Sequence, residues 1–258
     1  MPIAAINGTN ISYSDTGGAG PVVVLSHGIL MDQSMFEAQV AALGDYRVIT
    51  WDERGHGGTA ATGPFSYWDS AKDVLALLDH LGIDTAVLGG MSQGGFLSLR
   101  AALLAPHRVR ALILIDTQAG LEDPASIESY QQLHEIWMDT GPAPVQEIVS
   151  AIILGPGAWD GWYAKWAAAD KEQFSLAFGA LADRDDLTGR LGEIGCPALI
   201  VYGTADAAIP LAKAEQLRSG LAGPVDFALI EGGTHAANVS HPDAVNTAIA
   251  NFLRTLPE

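Results

Sequence analysis

Three residues lying far apart in the chain have the types that nucleophilic acyl transfer requires: Ser92, Asp206 and His235. Ser92 is the centre of Gly90-Met91-Ser92-Gln93-Gly94, a G-x-S-x-G pentapeptide. A serine hydroxyl attacks poorly until a base can take its proton. His235, in Glu231-Gly232-Gly233-Thr234-His235, is the residue to do so, and Asp206, in Tyr202-Gly203-Thr204-Ala205-Asp206, is the carboxylate to orient it. That carboxylate fixes the imidazole tautomer and stabilises the imidazolium formed during attack. Asp116 competes for the acid role from the end of run 111–115, but Asp206 is the preferred acid, and Asp116 is expected to tie down the entrance to a later insertion.

Alone, the pentapeptide says little, since a shuffled chain of this composition would hold one about one time in six. Its setting says more. A short apolar run, 86–89, leads straight into it and a helical pattern begins near Gln93. A strand–turn–helix of this kind holds a serine on a tight elbow above a sheet, and flanking glycines are needed where a β-carbon would collide. The bland alternative is a glycine-rich connection whose serine merely caps the helix. It loses because acid and base follow in the required order.

The elements that must position these residues are legible as well. Ile3–Ile6 and 11–14 flank Asn7-Gly8 and read as a hairpin. Runs 22–26, 48–51, 86–89, 111–115, 198–202 and 227–230 are continuously apolar rather than alternating. Such runs suit parallel strands buried on both faces. Between them, Val74, Leu77, Leu78 and Leu81 fall on one helical face closed by Gly82, and 213–221 and 242–256 read as helices, the last behind Ser240 as its cap. Strand alternating with helix predicts an α/β, doubly wound, mostly parallel sheet. The alternation fails between 119 and 190, a stretch without a convincing strand that holds Trp137, Trp159, Trp162 and Trp166, four of the six tryptophans. The expected organisation is a core of residues 1–118 and 191–258 with a helical cap at 119–190.

Composition narrows the class. The 258 residues carry 30 acidic against 13 basic side chains, a net charge of −17 that repels phosphate backbones and anionic lipid. Nucleic acid and membrane are therefore excluded as expected partners, and self-association into a homodimer is left open. The single cysteine, Cys196, excludes an intrachain disulfide and reads as a packing residue. No secretion signal or membrane-length apolar run is visible, so a cytoplasmic location is expected. No metal or organic cofactor is expected, because no cysteine–histidine cluster exists to hold zinc.

Taken together, His27-Gly28 after the first long run, Trp51-Asp52-Glu53-Arg54-Gly55-His56-Gly57 after the next, the serine elbow and the Asp206 and His235 loops resemble the α/β-hydrolase superfamily across nearly the whole chain. The resemblance is nearest to the branch of 3-oxoadipate enol-lactonases, carboxylesterases and cofactor-free haloperoxidases, on residues 31–36, 114–120 and Asn238. It implies the α/β-hydrolase fold and a Ser-His-Asp enzyme cleaving an ester or lactone, a small-molecule substrate, through an acyl-enzyme. It implies a structural role for the Asp52–Gly57 turn, with Asp52 and Arg54 bracing loops. By position, backbone N–H groups of Ile29 and Gln93 are assigned to an oxyanion hole. Leu30, Phe36, Trp137, Trp159, Trp162 and Ile209 are the expected lining of an apolar substrate pocket, although the tryptophans could simply pack the cap onto the core. Met91, where many relatives carry histidine, is expected to face the core. His80, His107, His134 and His241 are expected at the surface. Alternatives with the same triad are carbon–carbon bond hydrolysis and perhydrolase or haloperoxidase chemistry; a small-ligand receptor is the non-enzyme alternative.

Overall fold

A computed structural model describes residues 1–257. A hairpin opens the chain, β1 (Ile3–Ile6) and β2 (Thr9–Asp15), with Asn7 and Gly8 supplying the positive φ values, 46° and 76°, of a tight two-residue turn. There follow β3 (Val22–Ser26), α1 (Glu37–Ala42), β4 (Arg47–Trp51), α2 (Tyr67–His80), β5 (Ala86–Met91), α3 (Gln93–Leu104) and β6 (Val109–Ile115). Four helices come next without an intervening strand: α4 (Pro124–Thr140), α5 (Gln146–Ile153), α6 (Asp160–Ala168) and α7 (Lys171–Ala182). The chain closes with β7 (Ala198–Gly203), α8 (Leu211–Gly220), β8 (Val225–Ile230), a short turn of helix α9 (Ala237–Ser240) and α10 (Pro242–Thr255).

The eight strands form one sheet in the order β1-β2-β4-β3-β5-β6-β7-β8. Only the β1–β2 and β2–β4 pairings are antiparallel; the rest are parallel. The apolar runs are continuous because each strand feeds two cores. Val23, Leu25, Ile113, Ile115, Leu199 and Val201 enter one hydrophobic cluster, while Val24, Leu112, Leu114 and Ile200 enter the other. Successive side chains point to opposite faces, so a strand covered on both sides has no polar positions left.

Helix ends follow local chemistry. The α2 stripe of Val74, Leu77 and Leu78 is buried, and Gly82 ends the helix at φ 65°. Asp123 caps α4 by accepting from the N–H groups of Ala125 and Ser126, and Asp170 does the same for Glu172 and Gln173 at α7. The cap expected at Ser240 is not one. Its hydroxyl accepts from the Thr234 N–H instead, and α10 starts at Pro242, whose missing N–H suits a first helical turn.

Strand order fixes the place of the site. From β3 the chain moves outward to β4, then returns to lay β5 on the other side of β3. At such a reversal the loops leaving adjacent parallel strands diverge and open a crevice at their carboxyl ends. Ser26 ends β3 in register with Gly90 of β5, so the His27-Gly28 loop and the Ser92 elbow leave the sheet side by side.

Candidate active site

Ser92 lies between β5 and α3 with φ 51° and ψ −114°, a left-handed conformation that a side-chain-bearing residue rarely adopts. Its backbone is fixed on every side. Its N–H donates to the Ile115 carbonyl at 2.9 Å, and its own carbonyl accepts from Gly95 N–H and from the Thr117 hydroxyl at 2.7 Å. The glycines permit this approach. A β-carbon at Gly90 would overlap the backbone of Gly94, and one at Gly94 would overlap the backbone oxygen of Ser26.

His235 follows β8 and is buried, like Ser92. Its Nδ1 donates to Asp206 Oδ2 at 3.0 Å, which leaves Nε2 as the nitrogen able to accept a proton. The other oxygen of Asp206 accepts from Ala208 N–H at 2.8 Å and Ile209 N–H at 3.0 Å. Ser92 and His235 line one cavity, and no hydrogen bond joins them directly. Nucleophile–base contacts commonly shorten only when substrate arrives.

Asp116, the competing acid, makes no hydrogen bond with His235. One of its oxygens accepts from Gly203 N–H at 2.7 Å and the other from Ala237 N–H at 3.2 Å. It therefore ties the Asp206 loop to the His235 loop, not to the insertion entrance as expected. Burial, and then the neighbouring Asp206, hold its carboxyl well above the usual carboxylate range.

The loop after β3 is pinned by side-chain hydrogen bonds. His27 is fully buried, and burial holds its imidazole below the usual histidine range. Its Nδ1 donates to Gly28 O at 2.8 Å and its Nε2 accepts from Glu53 N–H at 2.9 Å. Met91 is buried as expected, with its sulfur against Gly28. Asp52 accepts from Gln33 N and Nε2 and from Gly58 N, while Arg54 pairs with Asp73 through two nitrogens. The N–H groups of Ile29 and Gln93 are engaged by no other group among the described residues. Leu30 holds φ 62°, and the indole N–H of Trp166 donates to its carbonyl at 2.7 Å. Nothing in the sequence pointed to that tie.

The insertion roofs the cavity and straps the base loop. Ala236 N–H donates to Ile153 O at 2.7 Å, and the Thr234 hydroxyl to Leu154 O at 3.1 Å. Of the expected pocket residues, Leu30, Trp137 and Ile209 line the cavity. Phe36, Trp159 and Trp162 do not. Phe36 is buried in the core, the Trp159 N–H is turned onto Gly155 O, and Trp162 lies under the Lys165 ammonium. His134 corrects the surface expectation: it is half-buried, stacked on Phe178 at 4.3 Å, and lines the cavity. His241 is half-buried too, whereas His80 and His107 are exposed. Cys196 is half-buried away from the cavity, its thiol pushed up to about 11 by burial. Among the described residues no cluster of histidine, cysteine and acidic side chains could hold a metal ion, and no helix is long and apolar enough to cross a membrane.

A model of the α/β hydrolase fold matches residues 21–141. Over 255 residues the chain is 30% identical to a putative carbamate hydrolase, RutD, of Agrobacterium fabrum, covering 93% of this chain and 96% of that one. Among solved structures it is similar to the enol-lactonase of Burkholderia xenovorans LB400, with a TM-score of 0.90, 29% identity and coverage of 98% and 100%. A thermophilic esterase from Thermogutta terrifontis gives a TM-score of 0.87, also at 29% identity, with coverage of 98% and 96%.

Proposed function

The chain belongs to the α/β-hydrolase family, and on that premise we propose that it is a serine hydrolase cleaving a carboxylic ester or lactone with Ser92, His235 and Asp206. The observation that supports this most is the pairing of His235 Nδ1 with Asp206 at the cavity that Ser92 and His235 both line. The similarity to an enol-lactonase and an esterase supports ester bonds as the substrate class.

Substrate enters beneath the insertion, and its carbonyl oxygen meets the N–H groups of Ile29 and Gln93. Those donors point at charge that develops only during attack, so they lower the barrier rather than tighten ground-state binding. Ser92 Oγ attacks the carbonyl carbon while His235 Nε2 takes its proton. The imidazolium, held by Asp206, returns that proton to the departing alkoxide, leaving an acyl-serine. A water deprotonated by the same imidazole then adds to the acyl carbon, and collapse releases the acid and regenerates Ser92. The buried left-handed elbow keeps the hydroxyl from relaxing away from this trajectory.

Ser92→Ala tests the assignment directly. Turnover of a p-nitrophenyl acyl ester should fall by a thousandfold or more, on the order of what loss of a triad nucleophile costs elsewhere. Substantial residual turnover by the folded variant would refute the role of Ser92.

A further inference from the structure

We propose that the arm of the substrate filling the cavity is uncharged and carries a hydrogen-bond acceptor that pairs with the indole N–H of Trp137. This deepens, and rests on, the reading of the site as an ester or lactone hydrolase.

The charge argument comes first. The cavity, of about 100 Å³, is walled mostly by aliphatic and aromatic side chains, and neither lysine nor arginine lines it. Its one charged lining residue is Glu122, which is already committed: it pairs with Arg184 at 2.5 Å and accepts from Gln118 at 3.0 Å. Arg184 also donates to Leu181 O and Gly120 O, each at 3.0 Å, and lies over the Phe96 ring. It does not line the cavity. His134 supplies no cation either, because burial holds its imidazole below the usual histidine range. A carboxylate entering this space would leave water for a wall without a counter-ion, inside a chain of net charge −17.

The polarity argument is independent. Tyr130, Leu133, His134 and Trp137 recur at helical spacing along α4 and put one face of that helix on the cavity. Trp137 is 1% exposed, and its Nε1 has no partner; His134 Nε2 also has none. An indole nitrogen only donates, and a buried donor without an acceptor is rare enough to require an explanation. An acceptor on the substrate supplies one. The neutral imidazole, which can donate or accept at Nε2, adapts to the same group. The size agrees, since a void of about 150 Å³ takes one benzene, so this one suits an arm of a few heavy atoms.

Two series of near-isosteric esters, read as kcat/KM after subtraction of the uncatalysed rate, test the proposal. One varies the acyl arm: p-nitrophenyl pentanoate, 4-oxopentanoate and hemisuccinate. The other varies the alcohol arm: butyl, 3-oxobutyl and 2-carboxyethyl acetate. In at least one series the ketone should exceed the alkyl compound by roughly tenfold, and the carboxylate should fall roughly 100-fold below it. Trp137→Phe should remove the ketone's advantage and keep the discrimination against carboxylate. A ketone no better than its alkyl analogue in both series overturns the proposal, as does a carboxylate turned over equally well or an advantage that survives in Trp137→Phe. If that buried substitution prevents folding, the wild-type ranking decides alone. Turnover of every member without order sinks only this proposal. No turnover at all, together with no labelling of Ser92 by a fluorophosphonate, sinks the hydrolase reading beneath it.

Discussion

Glu53 is 1% exposed, and its carboxyl lies against the side chain of Gln93. Gln93, which follows Ser92, accepts at Oε1 from the Tyr67 hydroxyl at 3.1 Å and sets its side chain beside that carboxyl. Burial, and after it the charge of Asp73, hold the Glu53 carboxyl well above the ordinary value of 4.5, so it is a neutral acid packed near the elbow. The sign of its effect on stability follows. Unfolded, the group loses its proton as pH rises past the ordinary value; folded, it keeps it. The native state then binds more protons than the unfolded state, so the contribution is fully present at acidic pH. It is lost at about 1.4 kcal/mol per pH unit until the folded group ionises as well. Glu53→Gln keeps the shape and removes the titration. Denaturant midpoints should therefore match wild type more closely at about pH 5 than at about pH 9, where the variant should be the more stable. A constant difference between the two proteins across that range would show that Glu53 is not a buried acid in the native state.

At the scale of elements, the geometry of the Ser92 elbow depends on how closely α3 can approach β3. Gly94 sits where a β-carbon would meet the Ser26 backbone, so Gly94→Ala must push the helix off the strand and tilt the elbow. Overpacking of this kind costs about 1–3 kcal/mol. Thermal melting should register that cost together with a large fall in kcat, while Gly63→Ala, where nothing lies within 4 Å, should change neither. Equal behaviour of the two variants would mean that the elbow has slack. These elements were readable because their signals are local. Apolar runs mark strands covered on both faces, and glycines mark places where backbone meets backbone. What the sequence concealed is tertiary. Trp159 and Trp162 share helical spacing with Trp166, yet only Trp166 is turned onto the Leu30 carbonyl beside the cavity. His134 looked like a surface histidine, although its spacing from Tyr130 and Trp137 on one helical face was a signal that it shares their wall. The bridge from Asp116 to Gly203 and Ala237 depends on how three strands end together, which no single segment encodes.

The whole molecule is more integrated than a core carrying a separate cap. One hydrophobic cluster runs from Val23, Leu25 and Ile113 of the sheet through Phe96 into Trp137, Val149, Trp166 and Phe174 of the insertion. Hydrogen bonds from the Ala236 N–H to Ile153 O and from the Trp166 indole to Leu30 O cross the same boundary. Helices α5 and α6 are short, at 8 and 9 residues, below the length at which an isolated helix holds in water. The insertion thus takes its stability from the face it covers, and the loops it straps lose their support if it leaves. Unfolding should accordingly be a single cooperative event, with esterase activity and near-ultraviolet ellipticity disappearing together and the calorimetric enthalpy equal to the van't Hoff value. A low-temperature transition that abolished activity and exposed the insertion's tryptophans, with the sheet still folded, would show instead that the four helices form a unit of their own.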